Sequence, residues 1–352
     1  MTHAVPLSIE SFVRRLSAVL AVLVLTAGAV AQDAPALDRT TAEAEAVAAS
    51  VDVRTAQLDL DAARREAARV EADPTSLRVA LLRARHEVEA AEDALRNARA
   101  AARDAGADAF EAALQARDGV AVASTALDIA RTEADAARIR LEAGAATEND
   151  VARADDVARS AERDLADAER RFALALDRLA QAIGRDEVPG RLVEPVADPN
   201  VPSLASVLER ATENASLRAA LRAVELAEAQ LAAVDIAFTS ARADVEAAED
   251  AVATARLRAD DLAETLRLSL RQAHDAVLAA DARRVSAEEA LATADEDVSV
   301  AVARFDAGSI SQVVLERTRL ERLRRRAELH TARIGYADAL RSLDAAVLGV
   351  AR

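Results

Sequence analysis

The sequence predicts an all-α protein of long antiparallel coiled-coil helices arranged in two tandem repeats. The first observation is a repeat without insertions, because Gly144 and Gly308 are 164 residues apart. The same spacing relates Val53 to Leu217, Thr147 to Ser311, Phe172 to Tyr336, Leu179 to Leu343 and Ile183 to Val347. The second observation is a composition rich in Ala, Arg, Glu, Asp and Leu, which is typical of long helices. We interpret the chain as a tandem duplication of one helical unit.

Residues 1–31 have the pattern of a secretory signal peptide. Arg14 and Arg15 precede an apolar run, and Ala29-Val30-Ala31 fits a cleavage site. An uncleaved membrane anchor is the alternative, although the apolar run is short for a membrane span. We therefore expect the mature chain to be exported from the cytoplasm.

Composition also limits the partners and the sites that the chain can have. The formal net charge is −16, from 45 basic and 61 acidic residues. Nucleic acid binding requires a basic surface, so we expect no nucleic acid partner. The chain has no Cys, and the sequence therefore predicts no disulfide and no thiolate metal site.

The first repeat, residues 32–184, opens with a predicted helix over 38–72. Thr40 or Thr41 is expected to cap this helix at its N-terminus. Pro74 ends it, because proline disfavours the helical conformation of the residue before it. A tight turn is expected there, after which Thr75 or Ser76 would cap the next helix.

The second helix of this repeat is predicted over 76–143, about 100 Å long at about 1.5 Å per residue. Gly144 ends it in a C′ position, and Thr147 caps the return helix over 148–183. Apolar residues three and four apart along that return helix indicate a coiled-coil seam. Because the first and return helices together match the long helix in length, we expect them to flank it and to meet near its middle.

Residues 185–202 form a predicted linker between the repeats and are expected to lie in the same middle zone. They contain Pro189, Gly190, Pro195, Pro199 and Pro202. The second repeat, residues 203–352, has no Pro or Gly before Gly308. A single helix of that length would be about 157 Å long, so the duplication predicts a reversal near Phe238, the counterpart of Pro74.

No motif in the sequence indicates an enzyme. His86, His274 and His330 lie on separate predicted helices, without the converging partners that a metal site or a catalytic triad needs. We expect these histidines to be interhelical or to face solvent. The sequence contains no phosphate-binding loop, dinucleotide fingerprint or nucleophile elbow. We therefore expect no enzymatic activity, no cofactor and no metal.

The two Gly motifs resemble the tip motifs of the TolC-like outer membrane efflux channel family, and the resemblance covers nearly all of the chain after residue 31. It implies the helical half, or α-barrel, of such a channel: a homotrimer that forms a tunnel across the periplasm, with the linker in its equatorial belt. It also implies that both tips meet a periplasmic adaptor and an inner membrane transporter. The candidate contact residues are Gly144, Thr147, Asp150, Val151, Gly308, Ser311 and Leu315.

The sequence departs from this family in two places. In the family, β-hairpins that build the outer membrane barrel follow the first helix of each repeat, whereas 73–76 and 235–240 have room for no strand pair. We therefore expect those hairpins to be absent. At the tips, Asp150 matches an acidic position of the family but Val314 does not, so an acidic ring would be only half present. The Arg-rich run over 317–326 fits either a basic tunnel or partner surface, or a solvated face paired with nearby glutamates.

The leading interpretation is a TolC-like efflux component, in the periplasm or at the outer membrane, that forms or supports an export tunnel. The alternative is a structural coiled-coil spacer of the cell envelope that transports nothing. A third interpretation, an adaptor whose helical hairpin docks on a channel, requires a β-rich domain. The sequence predicts no strands to build one.

Overall fold

The computed structural model describes residues 36–188, 191–193, 200–236 and 241–350. Within these ranges the chain forms eight α-helices, one short 3-10 helix and one pair of two-residue β-strands. None of the helices described is long and apolar enough to cross a membrane. The predicted signal peptide, residues 1–31, lies outside the described residues.

The first half of the chain contains one long helix and three shorter ones. Strand β1 comes first and is followed by the four helices. Their bounds are β1 Ala36–Leu37, α1 Arg39–Ala49, α2 Val51–Ala72, α3 Arg78–Glu142 and α4 Glu148–Ile183.

The helix predicted over 38–72 is divided at Ser50, and its N-cap is Asp38 rather than Thr40 or Thr41. The Asp38 carboxylate accepts hydrogen bonds from the Thr41 backbone N–H at 2.7 Å and from the Thr40 hydroxyl at 2.8 Å. Ser50 ends α1 and then caps α2, where its hydroxyl accepts a hydrogen bond from the Val53 N–H at 3.3 Å. Aspartate is a strong N-cap residue and stands one position before the first helical residue, which explains its preference over the threonines.

α2 ends at Ala72, before Pro74 as predicted, but neither Thr75 nor Ser76 caps α3. The N-cap is Leu77, which makes no side-chain cap hydrogen bond. The hydroxyl and N–H of Thr75 instead donate to the Asp73 carboxylate at 2.7 and 2.9 Å. The Ser76 hydroxyl donates to the Val70 carbonyl oxygen at 2.7 Å, so both side chains stabilise the end of α2.

The half-length helices flank α3 and meet beside its middle, as the helix lengths predict. Arg64 of α2 bonds Glu92 of α3 at 2.9 Å, which fixes α2 along the first part of α3. Along the second part of α3, α4 is fixed by ion pairs such as Arg138–Asp155. The core there is formed by Leu37, Ala42, Phe110, Ala113, Leu114, Ala175, Leu179, Ile183 and Leu192.

The second half repeats this arrangement at the spacing found in the sequence. Its helices are α5 Leu204–Glu209, the 3-10 helix Arg210–Glu213, α6 Ala215–Ile236, α7 Arg242–Asp306 and α8 Gln312–Leu348. α2 and α6 both have 22 residues, α3 and α7 both have 65, and each second member begins 164 residues after the first.

The reversal predicted near Phe238 falls on residues 237–240, which lie outside the described residues. The helices on either side of it are packed together, since Arg256 of α7 bonds Glu228 of α6 at 2.7 Å. Arg64 and Glu92 are the counterparts of Glu228 and Arg256. The same ion pair therefore occurs in both halves with its charges exchanged.

The structure contains one pair of short parallel strands that the sequence did not predict. β1 pairs with β2, Arg191–Leu192, through the partners Ala36 and Arg191 and the partners Leu37 and Leu192. Leu37 and Leu192 are buried in the core beside α3. Two residues are too few for an alternating pattern, so their pairing follows from burial of these leucines. It places Arg191 and Leu192 beside the middle of α3.

Candidate functional site

The turn between α3 and α4 and the turn between α7 and α8 lie at the same end of the helix bundle. We call them the first and second tip turns, residues 143–151 and 307–315. Arg317, shortly after the second turn, pairs with Glu133, shortly before the first, with Nη2 and Oε1 2.5 Å apart. Both turns are therefore available to one partner on one surface.

Glycine gives both tip turns the same backbone geometry. Gly144 and Gly308 each have φ of 71°. The Gly144 N–H donates to the Leu141 carbonyl at 2.9 Å, and the Gly308 N–H donates to the Phe305 carbonyl at 2.8 Å. With the next N–H bonded one residue further back, these are Schellman turns, which favour glycine at positive φ. A Cβ at either glycine would meet nothing within 4 Å, so the constraint is the backbone conformation and not space.

The two tip turns differ in how the following helix is capped. Thr147 and Asp150 form a capping box, in which the Asp150 N–H donates to the Thr147 hydroxyl at 3.2 Å and the Thr147 N–H donates to the Asp150 carboxylate at 2.9 Å. Hydrogen bonds from the Thr147 hydroxyl and backbone N–H lower the pKa of Asp150. At the second turn, Ser311 makes no side-chain cap bond and Val314 stands in place of the aspartate.

The two halves contact each other along an internal seam, which we define as α3 packed against α6 and α8. Acidic residues of α3 meet cations of the second half there. Asp93 is 4% exposed, and its Oδ2 atom accepts a hydrogen bond from Arg222 Nη1 at 2.9 Å. Glu111 is 3% exposed and bonds both Nη atoms of Arg341, at 2.9 and 2.8 Å. Burial lowers the pKa of Arg341, but the hydrogen bonds and negative charge of Glu111, together with Asp108 and Asp338, outweigh it, so the pKa lies above its usual value.

Two histidines also bridge the halves, which is the first of the two expectations for them, interhelical or facing solvent. His86 Nε2 lies 3.0 Å from Glu225 Oε2, and His330 Nδ1 contacts Asp118 Oδ2. Burial raises the pKa of Asp118, but hydrogen bonding and positive charge from His330 and Arg117 outweigh it, so the pKa lies below its usual value. The residues that the structure describes contain no group of three or more His, Cys, Asp or Glu side chains placed to hold a metal ion.

Solved structures with the same fold include membrane and outer membrane proteins. A membrane protein from Pseudomonas aeruginosa is 16% identical, with a TM-score of 0.62 over 88% of this chain and 92% of that one. The Campylobacter jejuni outer membrane channel CmeC is 12% identical, with a TM-score of 0.60 over 88% and 85%. The Vibrio cholerae outer membrane protein VceC is 16% identical, with a TM-score of 0.56 over 89% and 96%.

The chain has the helical fold of TolC-family outer membrane channels. That fold is the one that the two tip motifs predicted. No protein family model matches the sequence, and neither does any curated protein. The likeness of this TolC-like chain to known proteins therefore lies in its backbone.

The structure of the TolC-like tips distinguishes among the seven candidate contact residues. Five have exposed positions at the tip turns, namely Gly144, Thr147, Asp150, Gly308 and Ser311. Val151 is half-buried, and Leu315 is only 4% exposed. Leu315 therefore packs inside the helix pair, whereas Val314 beside it is 44% exposed and extends the accessible surface of the second tip.

The Arg-rich run of α8 is largely engaged in ion pairs. Arg319 pairs with Glu316 at 2.7 Å, and Arg325 pairs with Glu321 and Glu328, both at 2.8 Å. Such pairs at spacings of three and four stabilise an exposed helix surface. These contacts favour the interpretation of the run as a solvated, paired face.

A cavity of about 500 Å³ lies beside the internal seam, between α1, α3, the 3-10 helix and α8. Its polar lining includes Arg39, Arg210 and Arg341, each of which is paired with a carboxylate. Leu114 and Leu340 form part of its apolar lining.

The seam is not among the sequence predictions. One sign of it is present in the sequence, because Asp104, Glu111 and Asp118 are seven residues apart and lie on one face of α3.

Proposed function

We propose that this protein is a TolC-like efflux component of the bacterial cell envelope. It forms or supports a helical export tunnel together with a periplasmic adaptor and an inner membrane transporter. In this proposal residues 1–31 direct export, and three copies assemble in the periplasm or at the outer membrane. The repeats 32–184 and 203–352 form the tunnel wall, and the linker 185–202 lies at its equator.

The observation that carries the proposal is the position of the two tip turns at one end of a bundle with the fold of outer membrane channels. Both turns are exposed, and both are held by glycine in a conformation that other residues adopt at a cost. A fixed, exposed pair of turns suits docking to a partner of the same symmetry. The tip residues, and not a catalytic group, are therefore the functional residues of this proposal.

Site-specific photo-crosslinking in cells tests the proposed partner. A photo-crosslinking amino acid at Asn149 or Gln312, both exposed beside the tip turns, should capture the adaptor of an export pump. The same group at Thr75, exposed in the turn at the opposite end of α3, serves as the control and should not capture it. Capture from all three positions alike, or of no adaptor from any, would contradict the proposed docking surface.

Glycine substitutions test whether the tip turns serve export. Gly144→Val and Gly308→Val should reduce adaptor capture and raise dye accumulation in a deletion strain complemented with the variant. Gly119→Val is the control, because Gly119 lies within α3 and has nothing within 4 Å of its Cβ position. Normal export by a strain that lacks the protein would instead support the structural spacer.

A further inference from the structure

The cavity beside the internal seam lies between the two halves of the chain. α1 and α3 of the first half form one side of it, and the 3-10 helix and α8 of the second half form the other. Its volume of about 500 Å³ is in the range of small-molecule sites. Its lining on α8 runs from His330 to Leu348, about 27 Å at about 1.5 Å per residue. A cavity of this volume and length suits an extended chain rather than a compact ligand.

The two ends of the cavity differ in exposure. α3 and α8 run antiparallel, because Asp118 contacts His330 and Glu111 bonds Arg341. Arg103 of α3 therefore lies at the end of the cavity opposite His330. Arg103 is exposed, whereas His330 is 8% exposed. A ligand thus has its solvated end beside Arg103 and its buried end toward His330.

Arg103 is the arginine of the described lining that is left for a ligand. The other four are held by carboxylates, namely Arg39 by Glu43, Arg210 by Asp344, Arg333 by Glu288 and Arg341 by Glu111. Arg103 has no carboxylate partner among the residues that the structure describes. In the four pairs each arginine offsets the charge of its carboxylate, so an anion at the open end meets the unopposed charge of Arg103.

Buried N–H donors of the cavity wall also lack acceptors. The Nε atoms of Arg333 and Arg341 are buried and make no hydrogen bond within the part of the chain that the structure describes. Asp104 Oδ1 is 3.7 Å from Arg341 Nε, which is too far for a hydrogen bond. In the described lining no carboxylate oxygen is buried without a donor. The wall therefore has donors to offer and favours a ligand that carries acceptors.

Apolar groups form a track along the length of the cavity. Ile334, Ala337 and Leu340 are three residues apart on α8 and line it from one side. Leu114 of α3, which is 3% exposed, belongs to the lining as well. The methylene stems of the paired arginines add apolar surface between these residues. Such a wall stabilises an apolar chain by removing it from water.

We propose that this cavity binds a monocarboxylate with an apolar chain, of the kind represented by a medium-chain fatty acid. The carboxylate pairs with Arg103 at the open end and accepts a hydrogen bond from Arg341 Nε. The chain lies along Ile334, Ala337 and Leu340. Arginine binds a carboxylate through two parallel hydrogen bonds, and one unopposed arginine matches one negative charge. A monoanion therefore fits better than a doubly charged phosphate ester.

The site lies between the halves, and the proposal depends neither on the tip turns nor on transport. Because the ligand touches both halves, its binding stabilises the folded chain at the seam. A protein that binds the carboxylate but takes no part in export would contradict the proposed function and support this site.

Isothermal titration calorimetry of the purified protein tests the class of ligand. Decanoate should bind, and affinity should rise by about fourfold for each CH₂ group buried along the series hexanoate, octanoate and decanoate. Decyltrimethylammonium has a chain of the same length and a cationic head, and should bind at least about tenfold more weakly. No binding of decanoate, or equal binding of the two amphiphiles, would overturn the proposal.

A matched pair of substitutions tests the position of the carboxylate. Arg103→Gln should weaken decanoate binding by about tenfold, because it removes the charge-assisted hydrogen bonds. Arg83→Gln is the control, since Arg83 is exposed on the same helix, about 30 Å from Arg103, and outside the described lining. Neither change removes an ion pair of the described chain, so both variants should keep the fold. Equal affinity of both variants and the wild type would refute the role of Arg103.

A filled cavity tests the position of the apolar chain. Ala337→Leu places three more carbon atoms in the cavity wall at little cost in helix propensity, and should weaken decanoate binding by at least about tenfold. In the wild type, decanoate should slow amide hydrogen exchange in residues 100–114 and 333–348 and leave the tip turns unchanged. Unaltered affinity of the filled variant, or protection confined to other segments, would show that decanoate binds outside the cavity.

Discussion

α3 and α7 have the same length and equivalent positions in their halves, yet the sides that correspond to the seam differ in chemistry. α3 places acids there, with Asp93 and Glu111 almost fully buried, whereas α7 places leucines there that remain exposed in one chain. A buried carboxylate without a partner costs several kcal/mol, so its cation must be permanently present. A covalently attached second half meets this condition. Exposed leucines, in contrast, need no partner charge within the chain.

The largest expected effect concerns buried Glu111 of α3, which depends on a cation from the second half of the chain. Arg341→Met leaves Glu111 buried without its bidentate partner and should lower the free energy of unfolding by about 3–5 kcal/mol. Urea denaturation followed by circular dichroism measures the change. Arg159→Met is the control, because Arg159 and Asp156 are 63% and 70% exposed and their pair contributes at most about 1 kcal/mol. Equal losses of unfolding free energy in both variants would contradict a special role of the buried ion pairs in the seam.

A second test uses the close approach of α1 to α3. A Cβ at Gly106 would lie 2.7 Å from Ala46 Cβ and 2.8 Å from the Ala42 carbonyl oxygen, whereas its counterpart Leu270 is fully buried in α7. Gly106→Ala should therefore destabilise the protein by about 1–3 kcal/mol through overpacking. Gly119→Ala has open space and should stabilise it by about 0.5–1 kcal/mol through helix propensity. Thermal unfolding of both variants checks the opposite signs.

The unequal caps of the tip turns give a smaller effect. Thr147→Ala removes the capping box and should cost about 1 kcal/mol, whereas Ser311→Ala removes no side-chain cap bond and should cost little. Amide hydrogen exchange in the first turn of α4 and of α8 measures the fraying. Val314→Asp should protect α8 by supplying the missing carboxylate. Equal exchange in all variants would contradict the role assigned to Asp150.

The smallest effect is a pH dependence at the seam. The pKa of Asp118 is lower in the folded chain, so its ionised form stabilises the fold above the unfolded-state pKa. This contribution to stability is lost as pH falls through the pKa that Asp118 has in the folded chain. Asp118→Asn should reduce the free energy of unfolding near neutral pH and match the wild type at the acidic end. Asp128→Asn, exposed on the same helix, should leave the profile unchanged.

The sequence predicted the long helices, the tip turns and the spacing of the two halves, because glycine, proline and helix length are local signals. The end of α2 and the capping role of Thr147 were read correctly for that reason. Other features were not predicted because competing caps and tertiary burial decide them. These are the break at Ser50, the caps of α1 and α3, and the pairing of Leu37 with Leu192.

The acids seven apart on α3 indicate one acidic helix face, but the sequence does not show which cations, more than a hundred residues later, pair with it. Arg341 and Glu111 are ordinary helix-surface residues in the sequence, and only the packing of α8 on α3 buries them. The duplicated spacing predicted equivalent backbones but not which equivalent faces would be covered. That information lies in the contacts between the halves.

The exchanged ion pair has a consequence for folding. A chain with two equivalent long helices gives α2 two docking surfaces of nearly the same shape. On its own partner Arg64 meets Glu92, but on α7 it would meet Arg256, and α6 on α3 would bring Glu228 against Glu92. Like charges at these contacts oppose both misassembled forms. The reversed pair therefore gives each half a small preference, about 1 kcal/mol or less for exposed charges, for assembly with its own helices.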